Sequence, residues 1–149
     1  METRKRNTIR ELIANAPDLA PFENIIDQLF SEFYSRDSII IIDSRRKSSY
    51  LCQTPFNSKE RNFELFIGVR DRMVQLDILW SIFHEYGHLI QRRPLDEELK
   101  EGTMAKYLRE TDAWHKAETK ASEFDILNPH FDEFKRYRAA CQASYRIDE

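Results

Sequence analysis

The chain has 149 residues, of which 41% are hydrophobic and 33% charged, and this is enough apolar material for one core of ordinary size. Its three glycines and five prolines exclude a loop-rich or disordered chain. The net charge of −3 gives no overall reason to expect nucleic-acid binding. We therefore predict one folded domain over residues 1–149.

The first half of the chain alternates between helical and extended patterns. Apolar spacing predicts a helix over residues 7–15 and a second from residue 18 or 21 to about residue 35. Three strands follow, at residues 38–43, 50–54 and 62–70, with a loop at residues 56–61. Because the connections are short, we expect an antiparallel meander.

The second half is predicted to be helical. A long apolar helix runs from about residue 74 to residue 92 and is stopped by Pro94. A charged connection covers residues 95–107, and a further helix runs from about residue 104 to residue 126. Asn128 and Pro129 break that helix, and a last one covers roughly residues 130–146.

Two features of the sequence bear on where the protein acts. Cys52 and Cys141 are far apart and show no C-x-x-C spacing, so we expect reduced thiols rather than a disulfide framework. No apolar run approaches the ~20 residues of a membrane span, and the basic first residues lead into no signal-peptide core. We therefore expect a soluble, cytoplasmic protein without a membrane partner.

The long apolar helix contains His84-Glu85-Tyr86-Gly87-His88, which reads H-E-x-x-H. Residues four apart share one face of a helix, so His84 and His88 can point two imidazoles at one metal ion. Glu85, beside the first ligand, can then reach a water at that ion, as in zinc hydrolases. The alternative is that both histidines are ordinary side chains of a structural helix.

The surroundings of the motif favour the metal site. The helix is apolar almost all round and should be buried, where unpaired polar groups cost a few kcal/mol each. A metal would satisfy all three polar side chains. Gly87 costs the helix about 1 kcal/mol relative to alanine, which is tolerated where the backbone approaches a strand or ligand closely.

A catalytic zinc site usually has a third protein ligand, which must come from farther along the chain. The acidic and histidine candidates are Asp96, Glu97, Glu98, Glu101, Glu110, Asp112, His115 and Glu118. Glu110 lies one turn before Trp114, on an apolar stripe that continues through Ala117, Ala121 and Phe124. Asp112 is about 200° around the helix from Glu110, on the solvent side.

We therefore choose Glu110 as the third metal ligand, with Asp112 and His115 as alternatives. Alanines at positions 113, 117 and 121 would let this helix pack tightly on the motif helix. The competing interpretation is that Glu110 is a carboxylate favoured near the start of a helix by the helix dipole.

The H-E-x-x-H motif, together with Glu110-Thr-Asp-Ala-Trp-His-Lys-Ala, resembles the gluzincin metallopeptidases, and most of all the ImmA/IrrE-like group. That group has H-E-x-x-H followed by a helix that begins E-x-E-A-N-x-F-A, and its first glutamate, a zinc ligand, matches Glu110. The resemblance covers roughly residues 20–127. Trp114 departs from it, because the group has asparagine there and thermolysin-like enzymes have aspartate, so the partner of a zinc ligand is not identified.

The resemblance implies an α+β, small zincin-like domain. Its parts would be N-terminal helices, a three-stranded mainly antiparallel sheet, the H-E-x-x-H helix, the ligand-bearing helix and a C-terminal helix. It implies Zn²⁺ as cofactor, bound by His84, His88 and Glu110, and a zinc-dependent metallo-endopeptidase with a specific protein or peptide substrate, such as a repressor.

In that mechanism Glu85 moves the proton of the attacking water. Tyr107, His115, His130 and Tyr137 are the candidate donors to the transition state, and the substrate would lie along a sheet edge.

Two other functions stay open. One is a zincin-fold regulatory module that binds a protein with little or no peptidase activity. The other is nucleic-acid binding through the basic residues 4–10 and 45–47, which the acidic overall balance disfavours.

Overall fold

The computed structural model describes residues 2–53, 63–71 and 74–148. The helices are α1 (Glu2–Asn15), α2 (Glu23–Tyr34), α3 (Leu76–Leu89), α4 (Met104–Ala121) and α5 (Phe131–Ala143). The strands are β1 (Ser38–Asp43), β2 (Tyr50–Gln53) and β3 (Phe63–Gly68). Short 3-10 helices occupy Pro17–Phe22, Asp96–Leu99 and Asp125–His130. The predicted loop at residues 56–61 lies outside the described part of the chain.

The first helix begins at Glu2, five residues before its predicted start. A tertiary contact orders this charged turn, since Lys5 is buried and its ammonium donates to Asp27 (3.2 Å) and Ser31 (3.0 Å) of α2. The second helix begins at Glu23, after the proline-containing 3-10 helix. It buries the apolar face that the sequence predicted, for example at Ile26 and Phe30.

The predicted antiparallel meander is wrong, and the sheet is mixed rather than mainly antiparallel. Its strand order is β1-β3-β2, with β1 parallel and β2 antiparallel to β3. The segment between β1 and β2 passes around the carboxyl end of β3, where the Arg70 amide donates to the Arg46 carbonyl (2.9 Å). A Cβ at Gly68 would lie 2.5 Å from the Ser48 carbonyl oxygen, so only glycine admits this path. As a result β2 is an edge strand.

Helix α3 lies at the centre of the hydrophobic core, as its apolar sequence predicted. Its residues 78–83 are all buried. Helix α4 packs against it through Ala113, Ala117 and Ala121, each fully buried. The two helices are so close at Gly87 that a Cβ there would lie 2.1 Å from the Ala113 carbonyl oxygen.

The C-terminal helix completes the core. Phe134 of α5 is fully buried and meets the rings of Trp80 and Trp114 edge to face, with centroids 5.4 and 5.8 Å away. The α+β class and the order of helices after the sheet agree with the prediction, although α4 ends at Ala121 rather than near residue 126. Among the described residues, no helix is both long and apolar enough to span a bilayer.

Candidate metal centre

Three side chains named from the sequence converge at the contact between α3 and α4. The Nε2 atoms of His84 and His88 lie 2.9 and 3.1 Å from the same carboxylate oxygen, Oε2 of Glu110. The histidines meet because they are one helical turn apart, and Glu110 reaches them because it lies one turn before the buried Ala113 and Trp114. The potential ligand atoms of the three residues all lie within 4.8 Å of one another.

The spacing and chemistry of this group fit a metal ion. Zinc-to-ligand distances of about 2.0–2.2 Å place neighbouring ligands of a tetrahedral ion about 3.3 Å apart. The two observed distances of 2.9 and 3.1 Å would have to lengthen by only a few tenths of an ångström. Two imidazole nitrogens and one carboxylate oxygen also form a donor set that is common in catalytic zinc sites. The three side chains could therefore hold a divalent ion.

The two histidines are held by different neighbours. The Nδ1 atom of His88 lies 2.8 Å from the amide oxygen of Gln91. The ring of His84 stacks on Trp114, with centroids 4.1 Å apart and an angle of 23° between the planes. The Nδ1 atom of His84 is buried and has no hydrogen-bond partner among the described residues. Trp114 thus supports a histidine by stacking.

Burial and mutual hydrogen bonds shift the pKa values of His84, His88 and Glu110. Burial acts to raise the pKa of Glu110, but the hydrogen bonds to His84 and His88 outweigh it and hold that pKa well below its ordinary value. Burial lowers the pKa of His84. Burial also acts to lower the pKa of His88, but the hydrogen bond to Glu110 and the charges of Glu85 and Glu110 raise it overall. Glu110 is therefore an anion facing two imidazoles, which is the ionisation that a metal ligand needs.

Glu85, the carboxylate inside the motif, is 6% exposed. Burial raises its pKa to about 8, against the opposing effects of the His88 charge and of a hydrogen bond with the backbone of Leu51. The nearby negative charge of Glu110 raises it further. A carboxyl group poised near neutral pH can both accept and deliver a proton.

These residues form part of the wall of a cavity of about 960 Å³. His84, Glu85, His88 and Glu110 line it, and the edge strand β2 contributes Tyr50, Leu51 and Cys52. Aromatic side chains from the second half of the chain also line the cavity, namely Tyr107, Trp114, Tyr137 and Tyr145. A volume of this size lies within the range of ligand-binding clefts.

The alternative ligands do not join the group. Asp112 instead accepts hydrogen bonds from Gln91 (2.8 Å) and from Lys116. His115 is exposed. Glu98 and Glu118 pair with Arg92 and Arg138, respectively.

Two of the four candidate transition-state donors line the cavity. Tyr107 and Tyr137 line the cavity, whereas His115 and His130 are not among the described residues that line it. Tyr145 also lines it, and its hydroxyl is buried with no hydrogen-bond partner in the described part of the chain.

Sequence reasoning missed Tyr145 and Gln91. The only available signal for Gln91 was its position three residues after His88, which places it one turn farther along the same face. Tyr145 gave no signal, because it lies near the end of the last predicted helix and belongs to no motif.

No family model, no curated protein and no solved structure matches this chain. The class of the site therefore rests on its own geometry. That geometry is a His-His-Glu group able to hold a metal ion, beside a buried carboxylate, at the wall of a large cavity.

Proposed function

We propose that this protein is a zinc-dependent metallo-endopeptidase of the gluzincin type, most like the ImmA/IrrE-like group. The observation that carries the proposal is the convergence of His84, His88 and Glu110 within 4.8 Å. Glu85, next to the first histidine, lies with them at the cavity wall. This combination has the parts that metal-assisted peptide hydrolysis requires.

The chain's own residues would divide the work as follows. His84, His88 and Glu110 would hold Zn²⁺, which when bound polarises a carbonyl and lowers the pKa of water toward about 7. Glu85 would accept a proton from the attacking water and deliver it to the leaving amine. Its burial supports this role, because the raised pKa allows it to hold the proton between the two transfers.

The substrate would be an extended segment of a protein or peptide, such as a repressor. Strand β2 lies at the edge of the sheet and contributes Tyr50, Leu51 and Cys52 to the cavity wall that also holds Glu85. An extended peptide could add to this edge by backbone hydrogen bonds, which would place its carbonyls over the metal centre. The aromatic residues Tyr107 and Tyr137, which line the same cavity, would contact its side chains.

Metal content tests the site without a substrate. Wild-type protein should contain about one zinc per chain by elemental analysis, and His88→Ala and Glu110→Ala should contain almost none. Glu118→Ala is the matched control, since Glu118 lies on the same helix but pairs with Arg138. Equal zinc in Glu110→Ala and Glu118→Ala would remove Glu110 from the ligand set.

Cleavage tests the chemistry. Glu85→Gln should keep its zinc and lose peptidase activity by about 10²- to 10⁴-fold, the usual contribution of a general base. Full activity in this variant would refute the mechanism. Casein and a candidate repressor should be compared as substrates. A wild-type protein that binds zinc and captures a partner but cleaves neither would instead be a regulatory module with a zincin-like site.

A further inference from the structure

Gln91 is a polar side chain buried beside the metal centre, with only 4% of its surface exposed. It follows the end of α3 and lies against α4. Its amide oxygen lies 2.8 Å from Nδ1 of His88, and its amide nitrogen donates to the Arg109 carbonyl (2.9 Å) and to Asp112 Oδ2 (2.8 Å). The oxygen and the nitrogen of the amide are thus both hydrogen-bonded. In this buried position an unsatisfied polar atom would cost about 1–3 kcal/mol.

The two acceptors on α4 determine which way this amide points. If the amide of Gln91 were flipped, its oxygen would face the Arg109 carbonyl and the Asp112 carboxylate, neither of which has a proton to donate. The nitrogen must therefore face α4. The oxygen is then left facing His88, and Asp112 contributes to this orientation without approaching the metal centre.

The orientation of Gln91 in turn decides which nitrogen of His88 is protonated. An amide oxygen only accepts hydrogen bonds, so Nδ1 of His88 must carry the proton. The ligand atom of His88 is then Nε2, which already lies 3.1 Å from Glu110 Oε2. Outer contacts that fix the tautomer and ring angle of a histidine ligand are a general feature of metal sites.

We infer that Asp112 and Gln91 act in series as positioning residues for His88, and that they present its Nε2 to the metal. This inference rests on the proposed metal site. Asp112 was an alternative metal ligand in the sequence analysis. Here it would act on the ion indirectly, through Gln91 and His88. The inference also supplies a ligand partner that the resemblance could not identify, since Gln91 supports His88 from the end of the motif helix itself.

The first test measures zinc affinity by competition with a chromophoric chelator. Gln91→Met removes both hydrogen-bonding ends at similar size, and its zinc Kd should rise about 10- to 100-fold. Gln142→Met is the matched control, because the Gln142 side chain bonds Thr111 and Arg138, and its Kd should equal that of wild type. An unchanged Kd in Gln91→Met would overturn the inference.

The second test rebuilds the hydrogen bond between positions 91 and 112 with donor and acceptor exchanged. Gln91→Glu keeps an acceptor for His88 but sets a carboxylate against the Asp112 carboxylate and the Arg109 carbonyl, so it should bind zinc weakly. In the double variant Gln91→Glu/Asp112→Asn the asparagine amide can donate to the new carboxylate, and part of the lost affinity should return, while the Arg109 carbonyl still lacks its donor. A purely structural role for Gln91 predicts no such rescue, and a double variant no better than Gln91→Glu would contradict the relay.

A third measurement needs no metal. The chain has four histidines, so ¹⁵N-histidine labelling gives few signals. Metal-free wild type should show a slowly exchanging Nδ1 proton on His88 that is lost in Gln91→Met. Its absence from wild type would overturn the hydrogen-bond chain. If the proton is present but wild type binds no zinc, the proposed function and the metal-positioning role fail, while the hydrogen-bond chain stands.

Discussion

Replacing Gly87 with alanine should force α3 and α4 apart. The added Cβ would lie 2.1 Å from the Ala113 carbonyl oxygen and 2.8 Å from its carbonyl carbon. Ordinary van der Waals contact begins at 3.4 Å, so the two helices must separate by roughly 1.3 Å at this point. Both obstructing atoms belong to backbone, which cannot move aside as a flexible side chain could.

Two opposing effects set the magnitude of the change. Alanine is a better helix former than glycine by about 1 kcal/mol. Overpacking of a tight core costs about 1–3 kcal/mol and occasionally more, and a clash with backbone belongs at the upper end. We therefore expect a net loss of about 2 kcal/mol, or roughly 4–8 °C in Tm for a chain of this length. Glu110 lies one turn before Ala113, so zinc affinity should fall as well.

Urea unfolding of metal-free Gly87→Ala in the presence of a chelator measures the folding effect alone. Ala140→Gly is the control, because Ala140 is exposed on α5 and should lose about 1 kcal/mol by helix propensity alone. Propensity alone predicts that Gly87→Ala is more stable than wild type. If it is as stable as wild type or more so, the close approach of α3 and α4 is refuted.

Three further results are expected. Phe134→Ala should lose about 3–5 kcal/mol of stability in urea unfolding, because Phe134 is fully buried against Trp80 and Trp114, and a loss below 1 kcal/mol would contradict this packing. Trp114→Leu should weaken zinc binding about three- to tenfold, since an aromatic pair contributes about 0.5–1.5 kcal/mol. Trp114→Phe keeps an aromatic ring on His84 and should lose less. Equal losses of zinc affinity in the two variants would argue against stacking. Zinc at 100 times its Kd should add about 2.7 kcal/mol to the free energy of unfolding of wild type, and EDTA should reverse this. If zinc raises the Tm of His88→Ala as much as that of wild type, the ion binds elsewhere.

Local patterns in the sequence predicted the helices around the site. Apolar residues all around α3 predicted a buried helix, and the alanine spacing of α4 predicted the face that packs on it. Both depend on helical periodicity, which is a property of neighbouring residues. The first turn of α1 was missed because Lys5 is ordered by Asp27 and Ser31 on another helix, and periodicity carries no such information.

The same distinction applies to the site. His84, His88 and Glu110 could be named in advance, because motif spacing places two of them on one face and the apolar stripe places the third. Gln91 could not, since a polar residue at a helix end is usually exposed. Its burial depends on acceptors from residues 109 and 112, which only the packing of α4 brings near.

The order of the strands could not be predicted, and it bears directly on the proposed binding of a peptide substrate. In a meander β2 would be the central strand, with both edges already paired. In the observed sheet β3 is central, because the segment after β1 passes around its carboxyl end and bonds residues 68–70. A six-residue connection fits a hairpin and this path equally well, so its length does not choose between them. In this arrangement one edge of β2 pairs with no other described strand, and β2 lines the same cavity as Glu85. A peptide that extends the sheet at this edge would run past the metal centre, whereas the free edge of β1 lies two strands away from it.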